Sequence, residues 1–165
     1  MSDSRATRNT LEVQATVRGA PPEPDVRRWL SRLLHREGAR NAPVSVLLCG
    51  DARMRRLNRE WRNLDRPTDV LSFSPAPDPP RPPRRLRPGE ALGEIVIDVP
   101  CAARQARRRG HPVAREVQIL LAHGLLHLEG FDHERDRGEM FRRQARLVRA
   151  AFGPGPDGVP REEEP

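Results

Sequence analysis

The chain has 165 residues, long enough for one domain with a substantial core, and carries a formal charge of +7 with a pI near 11.2. That charge favours a polyanionic partner such as nucleic acid, although all 30 basic residues are Arg and none is Lys, a bias that GC-rich coding also produces. No apolar run reaches the length of a membrane span, the first residues lack the apolar core of a signal peptide, and Cys49 and Cys101 form no CxxC pair or disulfide framework, so a cytoplasmic protein without a membrane partner is expected.

In chain order, residues 1–10 read as a polar tail. Residues 11–18 alternate apolar and polar, as a half-buried strand does. Pro21 to Pro24 make a turn, Asp25 is the predicted N-cap, and Val26, Trp29, Leu30, Leu33 and Leu34 form a helical apolar stripe. His35 falls on the opposite face. Residues 43–49 form a second strand, and Gly50 and Asp51 open a helix through about Trp61 with Met54 and Leu57 inward. Residues 69–73 read as a third strand. The Pro- and Arg-rich run 75–88 reads as a mobile basic loop. Residues 92–99 form a fourth strand, apolar enough to be central.

Pro100 starts an Arg-rich helix that Gly110-His111-Pro112 ends, with His111 structural or solvated. The next helix spans about 113–129, with Val117, Leu120, Leu121, Leu125 and Leu128 as its core stripe; Glu116, two turns before His123, either supports the histidines from behind or, as is more common, is an exposed carboxylate. A last helix runs from about 134 to 152, and residues 153–165 read as a disordered tail. Interleaved strands and helices predict an α+β fold, a small four-stranded sheet flanked by helices, in one domain over residues 11–152.

The most specific feature is His123-Gly-Leu-Leu-His127-Leu-Glu-Gly-Phe-Asp-His133. His123 and His127 are one helical turn apart on one face. Gly130 stands where the helix can end with positive φ and return His133 to the same point. Three of the five histidines fall in this run. Three imidazoles suit one Zn²⁺ and leave a fourth position open for water, as catalytic zinc sites do. The metal site therefore sits at the end of a central helix. Gly124 stands where zinc peptidases of the His-Glu-x-x-His type carry their general base, so the motif argues for metal and against peptide hydrolysis.

A second polar cluster runs from Leu57 to Phe73 and includes Asn58, Trp61, Arg62, Asp65, Pro67, Thr68 and Asp69. This cluster, the Leu92-Gly93-Glu94-Ile95-Val96-Ile97 strand and the histidine run resemble, in that order, the YbeY family of bacterial endoribonucleases over roughly residues 11–152. The resemblance implies a small sheet flanked by helices, with zinc on His123, His127 and His133. It also implies a role in activity for Arg62, which matches the family's Asn-x-x-aromatic-Arg segment. It further implies action on ribosomal RNA, at the 3′ end of the small-subunit RNA, and in ribosome quality control. Departures are Trp61 for the common Tyr, Ser74 for the common Pro, and a long Pro/Arg loop.

In such an enzyme Arg62 offers a planar fork to phosphate oxygens; the competing assignment is a salt bridge to Asp65 or Asp69. Asp132 either orients an imidazole, serves as a base, or caps the turn; Glu129 and Asp98 are weaker base candidates. Arg81, Arg84, Arg85 and Arg87 in the loop, and Arg104 with Arg107, Arg108 and Arg109, are candidate phosphate contacts. The expected partners are ribosomal RNA and the small ribosomal subunit, not DNA. No platform of regularly spaced aromatics is evident. A non-catalytic ribosome assembly factor with a structural zinc, and a metallopeptidase, remain the rival classes.

Overall fold

The computed structural model describes residues 11–39, 41–75 and 91–159. Four strands, β1 (Leu11–Ala15), β2 (Val44–Cys49), β3 (Val70–Phe73) and β4 (Gly93–Asp98), form one sheet in the order β1-β2-β4-β3. The first three positions of that order are parallel, and β3 pairs antiparallel to β4 at the edge. Five helices complete the described residues: α1 (Glu23–Arg36), α2 (Asp51–Arg62), α3 (Val99–Arg109), α4 (Val113–Leu128) and α5 (Glu139–Phe152). The α+β architecture matches the expectation.

β2 and β4 are nearly continuous apolar runs because both faces of the sheet are covered. On one face Val46, Leu48, Ile95 and Ile97 join the main core with Leu30, Leu33, Leu121 and Leu125 of α1 and α4. On the other, Leu47, Cys49, Leu71 and Val96 meet Met54 of α2. Helix α4 is therefore central. It is packed on β3 and β4 on one side and on α1, α3 and α5 on others. Its only half-buried polar residues near the C-terminal end are His123 and His127.

Several element ends differ from expectation. β1 stops at Ala15 rather than 18. Asp25 is not the N-cap of α1: the helix starts at Glu23, and Pro24 occupies its first turn, where a missing N–H costs nothing. The Glu23 carboxylate instead accepts a bond from the Ala15 amide at 3.0 Å. α3 starts at Val99, with Asp98 accepting from the Cys101 amide as its cap. α5 begins at Glu139 rather than 134, because the Asp136 carboxylate takes the amides of Gly138 and Met140 and ends a run of turns there.

Glu116 is the largest single correction. It is fully buried, not exposed, and accepts from Arg109 at 2.9 Å and lies 2.5 Å from His111 Nε2. His111 is thereby structural: with Arg109 and Glu116 it locks the α3–α4 turn. Residues 153–159, expected as part of a disordered tail, instead lie against α4 and α5. Arg115 donates to the carbonyls of Gly153 and Pro156, and Asp157 is buried. The expected tail 1–10 and most of the 75–88 loop lie outside the described residues.

Asp98 leads to a pH prediction. Burial, then a hydrogen bond with the Asp51 carboxyl, raise its pKa from 3.8 to about 7, while Arg104 holds Asp51 low. Between about pH 4 and 7 the folded chain binds a proton at Asp98 that the unfolded chain has lost, so stability falls as pH rises through that window. Asp98→Asn keeps the cap and removes the titration. Its unfolding free energy relative to the wild type, followed by denaturant titration, should rise from pH 4 to 7, with a slope of at most about 1.4 kcal/mol per pH unit. Parallel pH curves for the two proteins would remove Asp98 as the source.

Candidate metal centre

Three histidines meet at the C-terminal end of α4. Each of His123, His127 and His133 offers a ring nitrogen, and these atoms all lie within 4.8 Å of one another. His123 and His127 project from successive turns of α4, with their Nε2 atoms 3.1 Å apart. Gly130, at φ 101°, reverses the chain just past the helix, and its amide returns to the His127 carbonyl at 3.0 Å. His133 then comes back over the same point, its ring 5.3 Å from His123 and 5.4 Å from His127, against Phe141 of α5 at 5.1 Å.

The far nitrogens have partners. His123 Nδ1 lies 2.8 Å from Gln144 Oε1, and His127 Nδ1 lies 3.0 Å from the Phe131 carbonyl. The Gln144 amide is itself oriented, because its Nε2 donates to the Asp157 carbonyl at 2.8 Å. Its oxygen is therefore the end facing His123. Both Nδ1 atoms then carry the hydrogen, and both Nε2 lone pairs point at one place. Two lone pairs at 3.1 Å repel unless a proton or a cation lies between them. Burial lowers the pKa of His123, and burial followed by the charges of His123 and His133 lowers that of His127 to about 4. At neutral pH His123 and His127 are therefore uncharged, the state in which an imidazole binds a metal cation. The donor set fits a metal ion.

Beside the cluster lies an open cavity of about 1070 Å³. Its walls come from α2 (Arg53, Leu57, Trp61, Arg62), from Thr68 through Pro75 around β3, and from the turn that follows α4. It wraps the edge of the sheet at β3.

The family model described as Endoribonuclease YbeY matches residues 12–151. The chain belongs to this family. It is 50% identical over 115 residues to an endoribonuclease YbeY of Anaeromyxobacter sp. (strain Fw109-5), a stretch covering 68% of this chain and 56% of that protein. The chain thus spans little more than half the length of that relative. It is 43% identical over 128 residues to the Solibacter usitatus (strain Ellin6076) endoribonuclease YbeY, covering 76% of this chain and 78% of that one. The solution structure of TM1509 from Thermotoga maritima superposes with a TM-score of 0.61 at 27% identity, covering 87% of this chain and 89% of the other.

Around the histidine cluster, the expected residues separate. Arg62 is exposed at the end of α2 and lines the cavity. Its anticipated partner Asp65 is held by Arg55 through two bonds of 2.8 and 3.0 Å, with Arg59 at 3.7 Å. Asp69 is engaged by Gln105 and by the Val70 amide. Arg62 has no ion pair among the described residues.

Asp132 lines the cavity, and its Oδ1 accepts from the Glu134 amide at 3.1 Å, with Arg135 at 3.4 Å from Oδ2; this is the turn-capping arrangement. Glu129 and Asp98 do not line the cavity. Glu129 is buried beside Glu37, which Arg143 holds at 2.7 Å, and burial, then the bond with Glu37, raise Glu129 to about 9. Arg107 and Arg108 are exposed on α3, away from the cavity lining, and Arg104 is tied to Asp51. Arg81, Arg84, Arg85 and Arg87 lie outside the described residues.

Gln144 is the residue that sequence reasoning missed. Its signal was a lone polar side chain on the buried face of α5, between Met140, Leu147 and Val148. Partners of this kind orient a metal-binding imidazole, and their loss costs about 10–100-fold in metal affinity. Gln144→Leu is therefore expected to weaken metal binding by that factor, measured by competition with a chromogenic chelator. Wild-type affinity would make the His123 bond incidental.

Gly124 is explained by packing. A Cβ there would lie 2.9 Å from Ile95 Cγ2 and 3.1 Å from Ser72 Oγ. Ile95 is fully buried and tightly packed, and moving Ser72 aside would break the bond its hydroxyl donates to the Gly124 carbonyl at 2.9 Å. The glutamate of a zinc peptidase has no space at this position. Even Gly124→Ala should lower the melting temperature, since overpacking of about 1–3 kcal/mol exceeds the roughly 1 kcal/mol gain in helix propensity. An unchanged or raised melting temperature would show that α4 can retreat from the sheet.

Proposed function

We propose that this chain is a zinc-dependent, single-strand-specific endoribonuclease. It acts in maturation of ribosomal RNA, at the 3′ end of the small-subunit RNA, and in ribosome quality control, in the cytoplasm and on the small ribosomal subunit. The observation that carries the reading is the placement of three convergent imidazoles and the exposed Arg62 guanidinium, which has no ion pair among the described residues, on one open cavity. Membership of the YbeY family supports the reaction class. No described helix is long and apolar enough to cross a membrane.

His123, His127 and His133 would hold one Zn²⁺ per chain, three imidazoles being a donor set that leaves a position open. When bound, the ion supplies Lewis acidity to a phosphoryl oxygen and to water. The protein supplies the rest. Gln144 and the Phe131 carbonyl keep the imidazoles in one tautomer. Arg62, exposed at the rim, receives a phosphate and stabilises the charge that builds on it in the transition state. Arg107 and Arg108, and the arginines of the 75–88 segment, contact phosphates further along the strand, an attraction that weakens steeply with salt.

The test is cleavage of an end-labelled single-stranded RNA by the zinc-loaded protein, beside the same RNA in a duplex. Cutting of the single strand alone, lost on chelation and restored by zinc, is the expected result. A metal-independent cut, or no cut, would overturn the assignment. Mapping the product ends separates the two possible nucleophiles: a cyclic phosphate indicates the RNA 2′-hydroxyl, and a 5′-phosphate on the downstream fragment indicates water.

A further inference from the structure

Trp61 is the most exposed large hydrophobic side chain among the described residues, with 68% of its surface open. An indole of that size in water is costly unless something covers it. It is not a loose surface ring. Phe73 of β3 meets it edge-on, with centroids 5.7 Å apart and planes at 64°, which props the indole in a fixed attitude. Arg53, Leu57 and Trp61 recur at four-residue spacing along α2, and all three line the same cavity as Arg62 and the histidine cluster.

The cavity thus offers a held aromatic face, two guanidinium groups and the proposed metal site side by side. A polyanion with flat, separable rings matches this combination. A helical or strand partner would want a broad apolar surface, and the neighbouring α2 surface is instead dense in arginine. We propose that Trp61 is a base-stacking subsite that takes one unstacked nucleobase of single-stranded RNA and sets which phosphodiester reaches the histidine cluster. This rests on the ribonuclease reading and deepens it: the stack selects single strands, because a base in a duplex is already stacked and paired. Trp61 is a positioning residue here, since it touches a base and not the reacting phosphate.

Binding separates this from catalysis. The probe is a short, uncleavable single-stranded RNA with 2′-O-methyl sugars and phosphorothioate linkages, and a set of the same oligomers each carrying one abasic position. In a Trp29→Phe background Trp61 is the only indole, so its fluorescence reports the subsite directly.

The oligomer should quench Trp61, and one abasic position should abolish the quenching. Trp61→Ala should weaken binding by about 5- to 150-fold, the range for one base–aromatic stack. Trp61→Phe should recover much of that loss, and the abasic position should no longer matter in Trp61→Ala. Unchanged melting temperatures would exclude misfolding as the cause, the side chain being exposed.

If wild type and Trp61→Ala bind the oligomer equally, or no abasic position alters the fluorescence, the stacking subsite is overturned while the ribonuclease reading stands. If the wild type binds no RNA, both fall, and the exposed indole belongs to a protein contact.

Discussion

His127→Ala should abolish metal binding and RNA cleavage together while leaving the metal-free fold intact. His127 sits at the crowded centre of the cluster, 3.1 Å from His123 Nε2, and burial together with its two histidine neighbours holds it neutral, with a pKa of about 4. The metal-free chain therefore gains little by keeping it beyond the 3.0 Å bond to the Phe131 carbonyl. Below about pH 6.5 the unfolded imidazole takes a proton that the folded one refuses, so His127 destabilises the metal-free fold increasingly as pH falls toward 4. Alanine removes this penalty and leaves a small space beside the cavity.

The measurement is thermal unfolding with and without zinc. At about a thousand times its dissociation constant, zinc stabilises the wild type by about 4 kcal/mol. A site weakened a hundredfold keeps only about 1.4 kcal/mol at the same concentration, and one that has lost a direct ligand keeps less. The expected pattern is an unchanged or slightly raised melting temperature without zinc, no zinc-induced rise, and no cleavage. A full zinc-induced rise in His127→Ala would place the ion elsewhere. Cleavage equal to wild type would point to a contaminating nuclease.

Arg62→Glu should do the opposite: keep the metal and lose the reaction. Arg62 is exposed at the end of α2, and Asp65, the partner anticipated for it, is bound by Arg55 and Arg59. Replacing it therefore breaks no ion pair among the described residues and should leave stability within about 0.5 kcal/mol. A donor that meets the transition-state charge is worth about 10²–10³ in rate, and the introduced carboxylate repels phosphate as well. Single-turnover cleavage should fall by at least that factor while zinc still raises the melting temperature as in the wild type. Arg62→Lys restores charge without the planar fork, and an intermediate rate is expected from it. Wild-type rates in Arg62→Glu would remove the residue from the reaction.

The two variants together separate the rival classes. A structural zinc in an assembly factor predicts that His127→Ala unfolds the C-terminal half and that Arg62→Glu changes little. A catalytic ion predicts the reverse. The metallopeptidase class already meets a steric obstacle, since Ile95 and Ser72 occupy the space a glutamate at Gly124 would need.

How much was legible in the chain follows from the range over which each feature acts. Helical and strand periods are local, so all four strands and five helices were placed within a few residues. The convergence of His123, His127 and His133 was equally legible, because a four-residue spacing and one glycine bend settle it within eleven positions. The strand order β1-β2-β4-β3 was not, since parallel neighbours are joined through other elements and no local pattern marks which pair. The start of α5 was misjudged because apolar periodicity cannot see that Asp136 captures the amides of Gly138 and Met140.

Charged and polar side chains divide most sharply between the two levels. By itself the sequence determined the element pattern, the three-histidine turn, the missing glutamate and an arginine-rich surface. Each of these depends on residue type and short spacing. Only the tertiary structure decided that Glu116 is buried between Arg109 and His111, that Asp65 belongs to Arg55 rather than Arg62, and that Gln144 and the 153–159 segment stand behind His123. A charge or amide has several possible partners of similar local reach. Which one it takes is settled by desolvation and packing among elements far apart in the chain, and that information appears only when they meet.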